Sequence, residues 1–195
     1  MKILFKDKLK SYLIISLLGI IAGISVIFFC EFPNNDLWAF SYWSSSTLGF
    51  WMFSTSLIVL FSEKRKTSFI NAFIYIFIMF LMTSIYKSFR SFYGAYTPYD
   101  SFLELSLNRI SGWLEYSVIP ALLCGILALV LWSGRKDNTI GKILRILPMI
   151  FISLETISLF YIVFINHTKL FPAITNSVCL ILYIIIYIKE FKFKE

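Results

Sequence analysis

Charged residues fall in short clusters along this chain, and long apolar runs lie between them. A helix needs about 20 apolar residues to cross the hydrocarbon core of a bilayer. The charge gaps predict six such spans, over about 11–30, 42–62, 67–86, 112–134, 146–166 and 171–188. The spans occupy most of the chain and leave no room for a soluble domain. The expected fold is therefore all-α: a polytopic membrane protein with one six-transmembrane-helix bundle over residues 1–195. Lysines precede the first run, as they would in a signal peptide. That run is longer than the usual core of about 7–15 residues, and no A-x-A-like site follows, so it is read as a retained helix.

Loop charges set the expected orientation. Fourteen Lys and Arg residues precede span one, follow span six, or lie between spans two and three and spans four and five. The opposite side holds four: Lys87, Arg90, Arg109 and Lys169. Cations collect on the cytoplasmic side of membrane proteins, so both termini are expected to be cytoplasmic, in a bacterial plasma membrane. The long loop 87–111 is expected outside. Within it, Ser101-Phe102-Leu103-Glu104 reads as a capping box opening a helix with Leu103, Leu107 and Ile110 on one face. That helix would lie on the outer interface or run into span four. Its neighbours Phe92, Tyr93, Tyr96 and Tyr99 fit either a headgroup-level anchor or a lid over an outward pocket.

Composition agrees with a membrane setting. The chain is 58% hydrophobic, 19% aromatic and only 15% charged, with a mean hydropathy of +0.79. A water-soluble fold of this size could not hide so much apolar surface. Disorder, a disulfide scaffold and a soluble nucleotide-binding enzyme are all poor readings. The net charge of +7 would suggest nucleic acid in a soluble protein, but here it follows from loop orientation, and no nucleic-acid partner is expected. Cys30, Cys124 and Cys179 lack close spacing, which argues against disulfides or a zinc site. His167 is the only histidine, and the sequon Asn166-His167-Thr168 lies too near the membrane to be more than chance.

Polar residues at depth supply the candidate chemistry. Glu155 sits near the middle of span five, where a carboxylate costs at least about 2.5–3.5 kcal/mol on insertion scales. It is read either as a proton-, cation- or ligand-contacting group or as a hydrogen-bonded strut between helices. Ser158 lies one turn further out, and Pro148 should bend the same helix. Other polar residues gather toward the outer side: Ser44 to Thr47, Thr83, Ser84 and Tyr86, Glu115, and Asn176. Their depths suggest a polar funnel opening outward with Glu155 at its floor. Gly19 and Gly23 form a GxxxG pattern that lets a second helix approach closely, within this bundle or in another subunit. Ala121 and Gly125 repeat the spacing in span four. No span carries paired carboxylates, H-E-x-x-H, a nucleophile with its base, or a P-loop. Catalytic, cofactor-binding and metal-ligating residues are accordingly not expected, nor is an enzyme.

The stretch Tyr42-Trp43-Ser44-Ser45-Ser46-Thr47-Leu48-Gly49-Phe50-Trp51, with Ser62-Glu63-Lys64-Arg65 and the helix at 71–86, resembles small uncharacterised six-span membrane proteins of Gram-positive bacteria. Pro120 to Gly125 and Gly141 to Pro148 carry the same resemblance. That family has no established activity, so the resemblance implies architecture and lends no site residues. In size and span count the chain is also similar to the substrate-capture subunits of energy-coupling-factor vitamin transporters, an analogy that does not establish function. The leading expectation is a small-molecule capture or transport subunit with an outward-facing polar pocket. The alternative is a non-transporting accessory, interaction or immunity protein that packs against another membrane complex. Expected partners are the bilayer, a small-molecule ligand, and a membrane-protein partner or a second copy.

Overall fold

The computed structural model describes residues 3–32, 35–41, 48–94 and 99–192. Among these, helix dominates and no strand forms; a lone parallel bridge joins Phe5 to Ser62. The helices are α1 (Leu9–Cys30), α2 (Gly49–Leu60), α3 (Arg65–Gly94), α4 (Phe102–Leu131), α5 (Thr139–Asn166) and α6 (Leu170–Tyr187). A 3₁₀ turn, Trp132–Arg135, follows α4, and a π-helical turn, Ile188–Lys192, follows α6. Every long helix except α2 has the length and composition to cross a membrane. The chain is an integral membrane protein by that criterion. Large side chains such as Phe164, Ile157 and Leu127 stand exposed on its surface, where lipid rather than water is the fitting solvent.

Helix boundaries run past the charge gaps. A charged residue near a bilayer surface does not interrupt helical hydrogen bonding, so α3 and α4 each extend to 30 residues, about 45 Å. Half of the expected capping box forms: Ser101 Oγ accepts from the Glu104 amide at 3.2 Å, while Glu104 Oε2 accepts from the amide of Asp100, one residue before the cap, instead of from Ser101. The helix it opens runs without a break into α4, with Leu103, Leu107 and Ile110 all exposed.

Span two is described only in part. The described helix covers only Gly49–Leu60, 12 residues or about 18 Å, against a hydrocarbon core of about 30 Å. Residues 42–47, expected to form its first turns, lie outside the described residues. An apolar, charge-free run fixes solvent preference but not helical hydrogen bonding. Here the Leu48 amide is bonded to a side chain of α5 instead.

The packing places α2 at the centre. Helix α1 packs on α3, α3 on α4, and α5 on α6, while α2 touches α3, α4, α5 and α6. From Gly49 to Phe61 no residue of α2 is exposed. A helix apolar on every side is expected to be enclosed, and this one is enclosed by protein. On α1, the face Ser11, Ile15, Gly19, Ala22, Gly23 and Val26 is buried. A Cβ on Gly19 would stand 3.0 Å from the Tyr75 carbonyl oxygen, and one on Gly23 would stand 2.9 Å from Met82 Cβ. The GxxxG seam thus faces α3 of the same chain.

The two ends of the bundle differ in chemistry. One, the basic end, gathers the start of α1, the end of α2 and the start of α3. Phe5 and Leu4 donate to the Phe61 carbonyl, and Glu63 donates back to Phe5 at 2.9 Å. Arg135 donates to the carbonyls of Ser62 and Glu63 and lies over the Trp132 ring at 5.8 Å. Arg145 is buried and bonds the carbonyls of Gly134 and Lys136 and the carboxylate of Asp137. The Tyr183 hydroxyl donates to the Arg145 carbonyl at 2.9 Å, in the turn where Pro148 interrupts the α5 ladder. At the opposite end, Phe29, Phe32, Phe40 and Phe171 form an aromatic cluster with Trp38 stacked on Phe40. Leu37 and Trp38 carbonyls accept from the first amides of α6. The segment before α2 is thereby tied to the aromatic end.

Candidate functional site

The sequence candidates separate into two neighbouring places. Glu155 and Asn176 form the first. Glu155 Oε1 accepts the Leu48 amide at 2.6 Å, and Oε2 accepts Asn176 Nδ2 at 2.7 Å. Leu48 is the N-cap residue of α2, so a carboxylate from α5 caps the start of that helix. The first amides of a helix lack carbonyl partners, and its N-terminus carries partial positive charge. A carboxylate satisfies both features. Eleven residues separate Glu155 from the end of α5, about 16 Å. Gly49 permits this approach. A Cβ there would fall 2.2 Å from Asn176 Oδ1 and 2.4 Å from its Cγ, inside a side chain that is fully buried. Asn176 Oδ1 has no hydrogen-bond partner among the described residues.

The second place is a cavity at the aromatic end, between α1, α3 and α4. It has a volume of about 900 Å³, within the range of about 300–1,000 Å³ usual for small-molecule sites. Trp51 of α2 and Phe80 of α3 lie at its deep end with ring centroids 4.7 Å apart. Thr83, Ser84, Ser88 and Ser111 supply hydroxyls higher up, and the Trp113 indole donates to Ser88 Oγ at 2.8 Å. Lys87 and Arg109 stand at the mouth. A contiguous cavity of about 370 Å³ adds Tyr86, Glu31 and Arg90. Arg90 pairs with Glu31 at 3.1 Å, and the Tyr86 hydroxyl sits beside the same carboxylate.

Of the expected pocket residues, Thr83 and Tyr86 line these cavities, and Glu155 with Asn176 does not appear among the described lining residues. Glu115 and Ser158 are exposed on the bundle surface. Ser44 to Thr47 lie outside the described residues. Among the described residues the candidates do not join into one funnel with Glu155 at its floor. Trp51 and Phe80 occupy that position in the cavity, and α2 stands between the two places. Sequence reasoning missed Trp51, Phe80, Ser88 and Asn108 as cavity residues. A signal existed: Ser84 and Ser88, and Asn108 and Ser111, recur at helical spacing on otherwise apolar helices and so mark facing polar stripes. Among the described residues no cluster of His, Cys, Asp and Glu could hold a metal ion. In comparisons with known proteins, no protein family, no curated protein and no solved structure matches this chain.

Proposed function

We propose that the chain is a six-span protein of a bacterial plasma membrane, with both termini cytoplasmic, that captures a small molecule at an outward-facing cavity. The carrying observation is convergence. Polar residues from α3 and α4 gather on one cavity of about 900 Å³ at a single end of the bundle. Polar groups that served only as helix contacts would be spread along the seams. The six-span reading is supported by the path of the chain around α2. Ser41 lines the cavity, while Ser62 is bonded at the basic end, so the intervening residues pass from one end to the other. The positive-inside rule then places the basic end in the cytoplasm and the cavity outside.

The test is purification in mild detergent followed by native mass spectrometry. A small molecule that stays with the wild-type protein and is lost on Ser84→Leu or Ser111→Leu, each set inside the cavity, supports capture. Recovery of the protein with no small molecule, but with a stoichiometric protein subunit, would replace this reading with that of an accessory protein. That second reading has its own observation. At about 45 Å, α4 exceeds the hydrocarbon core by about ten residues, and Leu103, Leu107 and Ile110 are exposed in that excess.

A further inference from the structure

We propose that the cavity takes an anionic amphiphile, with a phosphate or carboxylate head at Lys87 and Arg109 and a single apolar chain reaching Trp51 and Phe80. This names the ligand class of the capture site and rests on that reading. Three cations surround the mouth: Lys87, Arg90 and Arg109. Only Arg90 has an ion-pair partner among the described residues, Glu31. Lys87 and Arg109 have no ion-pair partner among the described residues, and the described lining of the larger cavity holds no carboxylate. They sit above a wall of hydroxyls and a floor of two aromatic rings. A neutral sugar or a cation would leave this charge unanswered, and a cation would be repelled by it. A small inorganic anion would answer the charge but leave the aromatic floor unfilled. A molecule with charge at one end and a chain at the other matches both ends of the cavity. From Phe80 to Lys87 is seven residues of α3, about 10 Å, so head and chain contacts are separated by roughly two helical turns. Such a ligand can come from the outer leaflet or from solution, and its chemistry is the same.

The probe is 11-bromoundecyl phosphate, added to the full chain in phosphatidylcholine nanodiscs, with bromine quenching of tryptophan fluorescence as the readout. Saturable quenching is expected, reduced in Trp51→Phe because the bromine would lie near that ring. The K87Q/R109Q double variant should bind at least about tenfold more weakly, since each charge-assisted contact is worth roughly that factor. Lys87→Arg, which keeps the charge, should bind like wild type and separates charge loss from misfolding. The bromoundecyl maltoside and bromoundecyl trimethylammonium analogues should bind at least about tenfold more weakly than the phosphate. If either binds as tightly, the anionic class is overturned while capture stands. If no analogue quenches saturably, both fall. Inorganic phosphate alone should not compete at equal concentration, and equal competition would overturn the need for a chain. Competition by lysophosphatidic acid, a single-chain phosphate lipid, placed in the nanodisc assigns the ligand to the leaflet. Competition only by soluble dodecyl phosphate assigns it to solution, and either result upholds the class.

Discussion

Replacing Glu155 tests the account of α2 most directly. In Glu155→Leu the Leu48 amide and Asn176 Nδ2 both lose their acceptor. Asn176 is fully buried, and a buried donor left unsatisfied costs about 1–3 kcal/mol; Leu48 is exposed, so its amide adds less. The lost interaction with the α2 N-terminus adds up to about 1–2 kcal/mol. Glu155→Gln differs in kind. Its Oε1 still accepts from Leu48, and Asn176 can turn its amide so that Oδ1 accepts from the new NH₂ group. The remaining loss is that of a charge-assisted bond becoming neutral, about 1–2 kcal/mol. The order of stability should be wild type, then Gln, then Leu. For a chain of this length the expected fall in melting temperature is a few degrees for Gln and on the order of 10 °C or more for Leu.

The assay is the fraction of detergent-solubilised protein that remains monodisperse after heating, read by size exclusion. A companion cycle uses Asn176→Ala and the double variant Glu155→Leu/Asn176→Ala. Residues in direct contact should show coupling of about 0.5–3 kcal/mol. Leu at 155 as stable as wild type, or strict additivity in the cycle, would refute the cap. A Gln variant as unstable as Leu would refute the claim that hydrogen bonding, and not charge alone, holds the site.

Three further outcomes follow from other parts of the molecule. On a cysteine-free background, cysteines placed at Asn35 and Tyr96 should be labelled in intact cells, and those at Lys64 and Asn138 only after the membrane is opened; outside labelling at Lys64 would reverse the orientation. Gly23→Leu should prevent stable assembly and Gly23→Ala should already weaken it, because even a bare Cβ there would stand 2.9 Å from Met82 Cβ; normal assembly of the Leu variant would show that α1 and α3 can separate without loss. The hydrogen bond from Arg145 holds the Asp137 carboxyl below its ordinary 3.8. A folded-state value below the unfolded one gives stability that is present above that pH and lost as pH falls through the folded value. The gap in melting temperature between wild type and Asp137→Asn should therefore close on acidification from pH 5 to 3, and a constant gap would mean the carboxylate charge is not what Asn removes.

Five of the six expected spans coincide with helices long and apolar enough to cross a membrane, because hydrophobic length alone decides which segments can do so. Their ends were not legible, because charge gaps mark the hydrocarbon boundary while α3 and α4 continue into the interface. Residue 104 shows the exception: a capping box is local chemistry, and Ser101 with Glu104 located the start of α4. The short α2 was illegible for the opposite reason. Its N-terminus is set by a partner 107 residues away, and nothing between Tyr42 and Gly49 announces that Leu48 will bond to Glu155. Depth reasoning singled out Glu155, Asn176, Thr83 and Tyr86, but depth has no azimuth. It could not show that two of them face α2 from α5 and α6 while the others face the cavity from α3.

The arrangement of α2 connects these two places. It has no charged residue of its own, yet both ends are answered by charge from elsewhere: Glu155 at the first amide, and Arg135 at the carbonyls just past its last turn. Negative charge at the N-terminus and positive at the C-terminus is the favourable sense for a helix dipole. The only carboxylate at mid-depth in α5 thus has a structural reason to be there. The same first turn sends Trp51 into the floor of the cavity. Leu48 and Trp51 are three residues apart, so the group that holds Glu155 and the ring that would meet a ligand chain belong to one turn of helix. A substitution that frees Leu48 from Glu155 therefore loosens the floor of the cavity as well, and loss of binding in a Glu155 variant would not by itself make that carboxylate a ligand contact.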